Sequence, residues 1–590
     1  MPSPIVVDCH SHIFNAEDLP IDGFIKRLSP VPSLLTGVLS LPLDRLTQWA
    51  APGSGEIATI LALLDPEGAL EGAPVIPGGR AEAGELLSDA DLDSRLMRLL
   101  PSSAPTVGAG APVLEAAGMT VDEVIAQALA TATPEQLEEL AAWEAESGTV
   151  DGAVETGPIL EGIGDLFGRA ARLRLAAKRF IDALQLVGRH RYRIAGEIAA
   201  TYPGVQLFVP ALVDFSFMAR DKPSTTVQEQ VAIHSLVSKL AVIGKIPNAP
   251  HVRIHPMVGF CPYRETQASE LATWDIDAGT PNNYVPYADL TKVTPEDRYT
   301  PGITYVAARA RKLNEPSGSW RSSRLDLSGV TRSLDIVRHA VERGGFAGVK
   351  LYPPSGFLPI GNVSRFGERV GGRLDAALRA LYAYCVAEDV PILTHAARSN
   401  GFDDGFDDLA SPTGWKNVLD DYPSLRICFG HFGHLQGVGD DFAKPTLTSW
   451  PMRFIDLVDT HEHVYADVGN SRYVYDNEYR GHYNTLLGVL LGSGPAVDDV
   501  HRKRRRRLMF GSDYWMNTMN PDHGGFLTAF SGGVKTLVGT EAMGWFMGAN
   551  ALRWLGITND LDESFIGNRN RQRLIAFYDT NALPDWLADG

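Results

Sequence analysis

Cysteine is scarce in this chain. Cys9, Cys261, Cys385 and Cys428 are its four cysteines among 590 residues; they stand far apart in apolar surroundings, with no C-x-x-C spacing. That argues against a disulfide-stapled fold or a thiolate zinc cage and leaves buried, reduced thiols as the expectation. Positive charge is also in deficit, with 53 lysines and arginines against 71 aspartates and glutamates and a formal net charge of −18. A surface of that sign repels nucleic acid and anionic membranes, so neither is an expected partner. No run of 18 or more apolar residues occurs, and the first residues lack a basic segment followed by an apolar core. A cytoplasmic location is the expectation.

What is abundant is a repeated unit. From about residue 190 the chain alternates a short β-branched or apolar run, a polar loop and an amphipathic stretch, the pattern of βα units on a parallel sheet. Strands are expected at VQLFVPALV (205–213), VRIHPMVGF (252–260), FAGVKLY (346–352), VPILTH (390–395), LRICFGH (425–431), HVYADVG (463–469) and RLMFGSD (507–513). IVVDCH near the start makes eight. TTVQEQVAIHSLVSKLAVI (225–243) and TRSLDIVRHAVERGG (331–345) read as helices, the second closing on glycines. Eight strands alternating with helices predict an α/β fold, a (β/α)8 TIM barrel, with a doubly wound open sheet as the alternative.

Two segments break the repeat. Residues 30–190 are rich in alanine, leucine and glutamate and read as a large, mainly helical insertion after strand 1. The domain reading is therefore 1–29 for the first strand and its loop, 30–190 for the insertion and 191–590 for the rest of the barrel. After strand 3 comes a polar excursion of roughly 65 residues (264–328), which on a barrel lies over the catalytic face and reads as a lid.

Chemistry-bearing side chains cluster at one kind of position. His10 and His12 end the first strand; Lys350, His395, His431 and Asp513 lie at the carboxyl ends of four later ones. In a parallel barrel those ends gather around one mouth, so residues distant in sequence meet in space. On an extended strand His10 and His12 share a face, about 6–7 Å apart along the backbone. A second His-x-His pair, His461 and His463, precedes its strand and belongs to the opposite face, with no metal expected there. His434 follows three residues after His431 and is the alternative to it for proton work.

The order His-x-His, Lys, His, His, Asp on strands one, four, five, six and eight resembles the amidohydrolase superfamily. GFAGVKLYPP, PILTHA, FGHFGH, GSDYW and MGANALRWLGI resemble in particular its amidohydrolase-related branch, which also contains aminocarboxymuconate-semialdehyde and resorcylate decarboxylases. The likeness spans residues 1–15 and, in pieces, about 200–556. It implies a metal site, and imidazoles with a carboxylate suit Zn2+ or another divalent transition metal, one ion rather than two. Such an ion lowers the pKa of water from about 16 to roughly 7. In the mononuclear form His10, His12, His395 and Asp513 are the ligands. In the dinuclear form Lys350 is a carboxylated bridge, and His395 and His431 serve the second ion. Asp513 is the expected general base, and His431 the group that polarises substrate or shuttles a proton.

Substrate contacts are expected from Arg398, which can grip a carboxylate, and from the aromatic walls Tyr352, Tyr514 and Trp515. The run HRKRRRR (501–507) leads into strand eight and reads as a solvated cluster or as partners for acidic neighbours. The expected function is a metal-dependent hydrolase that cleaves an amide, ester, lactone or related bond of a small molecule; a homo-oligomer is compatible with it. The alternatives are a metal-dependent decarboxylase or hydratase on the same scaffold and a non-catalytic binding barrel. His434 stands where resorcylate-type decarboxylases commonly carry glutamate, which tilts the reading toward hydrolysis.

Overall fold

The structure is a computed structural model. It describes residues 5–18, 53–65, 186, 188–216, 223–267, 324–399, 405–439, 441–469, 477–492, 497–518, 523–557, 569–578 and 583–588. Most of the expected insertion, and the expected lid from residue 268 to 323, lie outside the described residues.

Nine extended segments follow in order: β1 (Val7–Ser11), β2 (Leu207–Pro210), β3 (Arg253–Ile254), β4 (Met257–Gly259), β5 (Gly348–Leu351), β6 (Ile392–His395), β7 (Ile427–Gly430), β8 (Val464–Asp467) and β9 (Leu508–Met509). All pairings between neighbours are parallel. β3 and β4 are halves of one strand interrupted at His255–Pro256, and an Ala211–Met257 bridge carries the pairing across from β2. The circle closes where the Cys9 amide donates to the Phe510 carbonyl, 3.1 Å. The result is the eight-stranded TIM barrel, with each strand inside a segment expected from the β-branched or apolar runs except β1, which runs one residue past IVVDCH to Ser11.

Alternation sorts the strand residues into two cores. Val7, Cys9, Leu207, Val209, Met257, Leu393, Cys428, Tyr465 and Met509 fill the barrel interior, each at most 1% exposed. Phe208, Val349, Ile392, Ile427, Phe429, Val464 and Leu508 face outward into the layer of helices. The lower end is plugged by Trp554, Leu555, Leu574, Phe577 and Tyr578. Burying side chains of this size contributes about 1.5–3 kcal/mol each, which makes the closed interior the main source of stability.

Both helices expected from sequence form, at Val227–Val242 and Ser333–Arg343. The first opens on a capping box: Thr226 Oγ1 accepts from the Glu229 amide, and the Glu229 carboxylate accepts from the Thr226 amide. The described part of the insertion is one helix, Gly53–Leu64, packed against Val227–Val242. A fully buried Arg191 ties it down, paired with Glu56 of that helix and with Asp18 from the loop after β1. The basic run before β9 is absorbed structurally: Arg504 pairs with Asp459, Arg502 with Asp499, and Arg505 donates to the Leu491 and Gly492 carbonyls. No helix among the described residues is long and apolar enough to cross a membrane.

Candidate metal centre

β1 does not run evenly. Its register with β2 shifts between Asp8 and Ser11, so Cys9 fills the barrel interior while His10 also turns inward, toward Lys350 and Asp467. His12 follows on the loop. Its Nδ1–H donates to the Ala211 carbonyl at 2.6 Å, and a carbonyl can only accept, so Nε2 is left with its electron pair. That nitrogen lies 3.2 Å from Asp513 Oδ1. Asp513 reaches the same place from the loop after β9, held in left-handed backbone at φ 47°, its amide donating to the His10 carbonyl. His10, His12 and Asp513 thus offer one ligand atom each, all within 4.8 Å of one another.

Two buried atoms at this mouth have no hydrogen-bond partner in the protein, Asp513 Oδ1 and His395 Nε2. Both carry lone pairs. A neutral His12 nitrogen facing a carboxylate oxygen sets two electron-pair donors against each other, which a proton or a cation relieves. Burial raises the Asp513 carboxyl, but with a proton or cation between it and His12 that contact, helped by His431 and His10, holds it far below the usual carboxylate range. Borderline imidazoles with a hard carboxylate fit a divalent ion of the zinc type, with His10, His12 and Asp513 to hold it.

His10 is braced from behind. Its Nδ1–H donates to Asp467 Oδ2 at 3.1 Å, and its Nε2 accepts from Lys350 Nζ at 2.9 Å. An ion taken by His10 competes with Lys350 for that one lone pair. Lys350 is 2% exposed, and burial pushes its ammonium down to about 8 against the pull of Asp467 and Asp513. Burial, then the neighbouring Lys350, keep His10 neutral by lowering its pKa. Asp8 fastens the backbone: it accepts from the His10 and Ser512 amides and, at 2.5 Å, from Ser512 Oγ, joining the His10 strand to the loop that carries Asp513.

His431 and His395 form a second unit. His431 Nδ1–H donates to the Gly469 carbonyl, 2.9 Å, so its Nε2 accepts from His395 Nδ1–H, 3.1 Å. Burial pushes His431 down to about 3 and holds His395 well below its ordinary value, with the adjacent His431 adding to the second shift. His395 lies outside the three-ligand group and reaches it through His431, whose ring is 4.8 Å from that of His10. His434 is partly exposed and its Nε2 lies 3.3 Å from the Gly469 carbonyl. His431, Phe432, His434 and Asp513 all have positive φ, a concentration of strained backbone of the kind that a functional constraint maintains.

The substrate-contact residues separate. The Tyr352 ring lies tilted by 50° against His395, centroids 4.7 Å apart, with its hydroxyl 2.6 Å from Ser399 Oγ. Tyr514 turns away: its hydroxyl is 3.2 Å from Thr201 Oγ1 and its ring meets Tyr202 edge-on. Arg398 is drawn off by Asp408 at 2.6 Å and stays half exposed. Trp515 packs on Phe14, and a narrow cleft of about 10 Å³ beside His12, room for roughly one water, is lined by Ile13, Phe14, Phe215, Gln230 and His234 among others. His461 binds Asp420, away from this mouth. Sequence reasoning missed Asp467 and Asp8. The first ends its strand in HVYADVG as the other site residues end theirs, so the same positional rule would have found it.

The class that the fold defines is an all-parallel α/β barrel, with two imidazoles and a carboxylate at its carboxyl mouth that could hold a metal ion. Residues 303–557, the stretch that carries Lys350, His395, His431 and Asp513, match the family model described as Amidohydrolase. No curated protein sequence is similar enough to be matched with it. Among solved structures, an amidohydrolase from Burkholderia multivorans shares 12% identity over 63% of this chain and 91% of its own, with a TM-score of 0.33. A Pseudomonas putida structure provisionally named 2-pyrone-4,6-dicarboxylic acid hydrolase gives 13%, 62%, 88% and 0.31. A 2,6-dihydroxybenzoate decarboxylase gives 11%, 61%, 86% and 0.29. Likenesses this distant add nothing to the reading of the site.

Proposed function

We propose that the protein is a metal-dependent hydrolase of a small molecule, cleaving an amide, ester, lactone or related bond. The observation that carries this reading is the convergence of His10, His12 and Asp513 within 4.8 Å, with Asp513 Oδ1 buried and accepting no hydrogen bond. A divalent ion bound there supplies Lewis acidity and makes water acidic enough to react near neutral pH. Asp513 is ionised and accepts the proton of the attacking water at Oδ1. His431 orients through Gly469 and passes protons along its hydrogen bond to His395.

The test is a panel of lactones, esters, amides and aromatic acids offered to zinc-loaded protein, with CO2 measured alongside. Turnover of a lactone, ester or amide without CO2 supports hydrolysis. CO2 from a carboxylate substrate assigns the decarboxylase alternative instead. A protein inert to the whole panel and binding no metal after supplementation returns the barrel to a binding role.

A further inference from the structure

Asp467 closes β8 with no exposure, and its hydrogen bonds run inward. Its Oδ1 accepts from the amides of His431, 3.1 Å, and Gly469, 2.8 Å. Its Oδ2 accepts from His10 Nδ1–H at 3.1 Å and lies 3.5 Å from Cys428 Sγ. The two amides matter because of what their residues do. His431 carries the second imidazole, and the Gly469 carbonyl accepts that ring's Nδ1–H. One carboxylate therefore grips the His10 ring directly and the His431 ring through the backbone on both sides of its hydrogen bond.

The consequence concerns tautomers. A carboxylate and a carbonyl only accept, so each neutral ring carries its proton on Nδ1 and keeps Nε2 as an electron-pair donor. For His10 that nitrogen accepts from Lys350 Nζ; for His431 it accepts from His395 Nδ1–H. Gly430 and Gly511 make room for His10: a Cβ at the first would lie 3.0 Å from the ring's Cε1, and one at the second 2.8 Å from the His10 Cβ.

We propose that Asp467 is a positioning residue that sets the tautomers of His10 and His431 together, making one ring a metal ligand and the other the acceptor of the His395 proton. The assignment of His10 as a ligand rests on the functional reading above; the tautomer assignment stands apart from it. A single carboxylate would then couple the place where an ion is held to the place where protons move.

The test uses the full chain, 15N-labelled at histidine and free of metal, with side-chain spectra assigned through His10→Gln and His431→Gln. Both rings are expected as the Nδ1–H form in the wild type. Asp467→Asn turns amide hydrogens toward donors, so both rings are expected to shift toward Nε2–H, and zinc affinity in a chelator competition to fall about 10–100-fold. A His431 signal unmoved by Asp467→Asn overturns the joint role. An Nε2–H form of either ring in the wild type overturns it without any variant, which decides the matter even if Asp467→Asn does not fold. Wild-type protein that shows both tautomers yet binds no zinc removes the metal reading and leaves the positioning role standing.

Discussion

His10 and His255 are equally buried, each with no exposure, at opposite ends of the same barrel. At the lower end His255 is closed: Nδ1–H donates to the Gly345 carbonyl at 2.8 Å and Nε2 accepts from the Tyr578 hydroxyl at 2.7 Å. At the mouth the pairing is incomplete or competitive. Lys350 occupies the nitrogen of His10, His12 faces a carboxylate that accepts no hydrogen bond, and His395 Nε2 has no partner in the protein. A buried histidine whose two nitrogens end on protein partners serves stability. Asp513 Oδ1 and His395 Nε2, buried without a hydrogen-bond partner, do not, because leaving buried polar groups unpaired costs about 1–3 kcal/mol each. The difference separates the end of the barrel that closes its polar groups from the end where we propose the chemistry.

That contrast breaks most visibly at Asp513. Asp513→Asn removes the charge that faces His12 and the base that takes the water's proton, and turnover is expected to fall by about 10³-fold or more. Thermal unfolding of the metal-free variant stays close to wild type, as circular dichroism will report. Wild-type turnover in that variant would remove Asp513 from the mechanism.

Lys350→Met sharpens the comparison next. The ammonium both competes for His10 Nε2 and repels a cation, so its loss is expected to tighten zinc binding by about 3–10-fold in a chelator competition. Weaker binding would instead make Lys350 a ligand in its own right, as the carboxylated bridge requires.

The smallest effect belongs to the closed end. Burial pushes His255 down to about 4 in the folded protein, whereas an unfolded histidine titrates near 6.5. Between those values the unfolded chain binds more protons, so this stabilising contribution is complete above pH 6.5 and is lost as pH falls toward 4, about 3 kcal/mol in all. His255→Gln is expected to flatten the pH dependence of unfolding in that window while leaving zinc affinity unchanged. An equally steep dependence in the variant would mean that other groups carry it.

How legible these two ends are in the sequence differs for physical reasons. All eight strands stand out as β-branched runs, since the barrel buries them on both faces. The break in the third strand does not, because it depends on what His255 finds across the barrel floor in Gly345 and Tyr578. His10, His12 and Asp513 are readable because ligand-type side chains at strand ends must meet. Arg398 misleads because its partners, Asp407 and Asp408, sit in the loop that follows. Tyr514 is a neighbour of Asp513 in sequence, yet the left-handed turn at Asp513 sends it toward Thr201. Asp467 is marked by its place at the end of its strand, but its task, to hold a ring from behind, is not written in the residue itself.

The central claim is that His10, His12 and Asp513 hold a metal ion on which activity depends. Equilibrium zinc titration of the chelator-stripped protein, compared with His12→Gln, tests it most directly. The wild type is expected to bind zinc with recovery of activity, and the variant to lose affinity by about 10²-fold while remaining folded. Zinc binding that survives unchanged in His12→Gln, or a wild type that binds none, would contradict it.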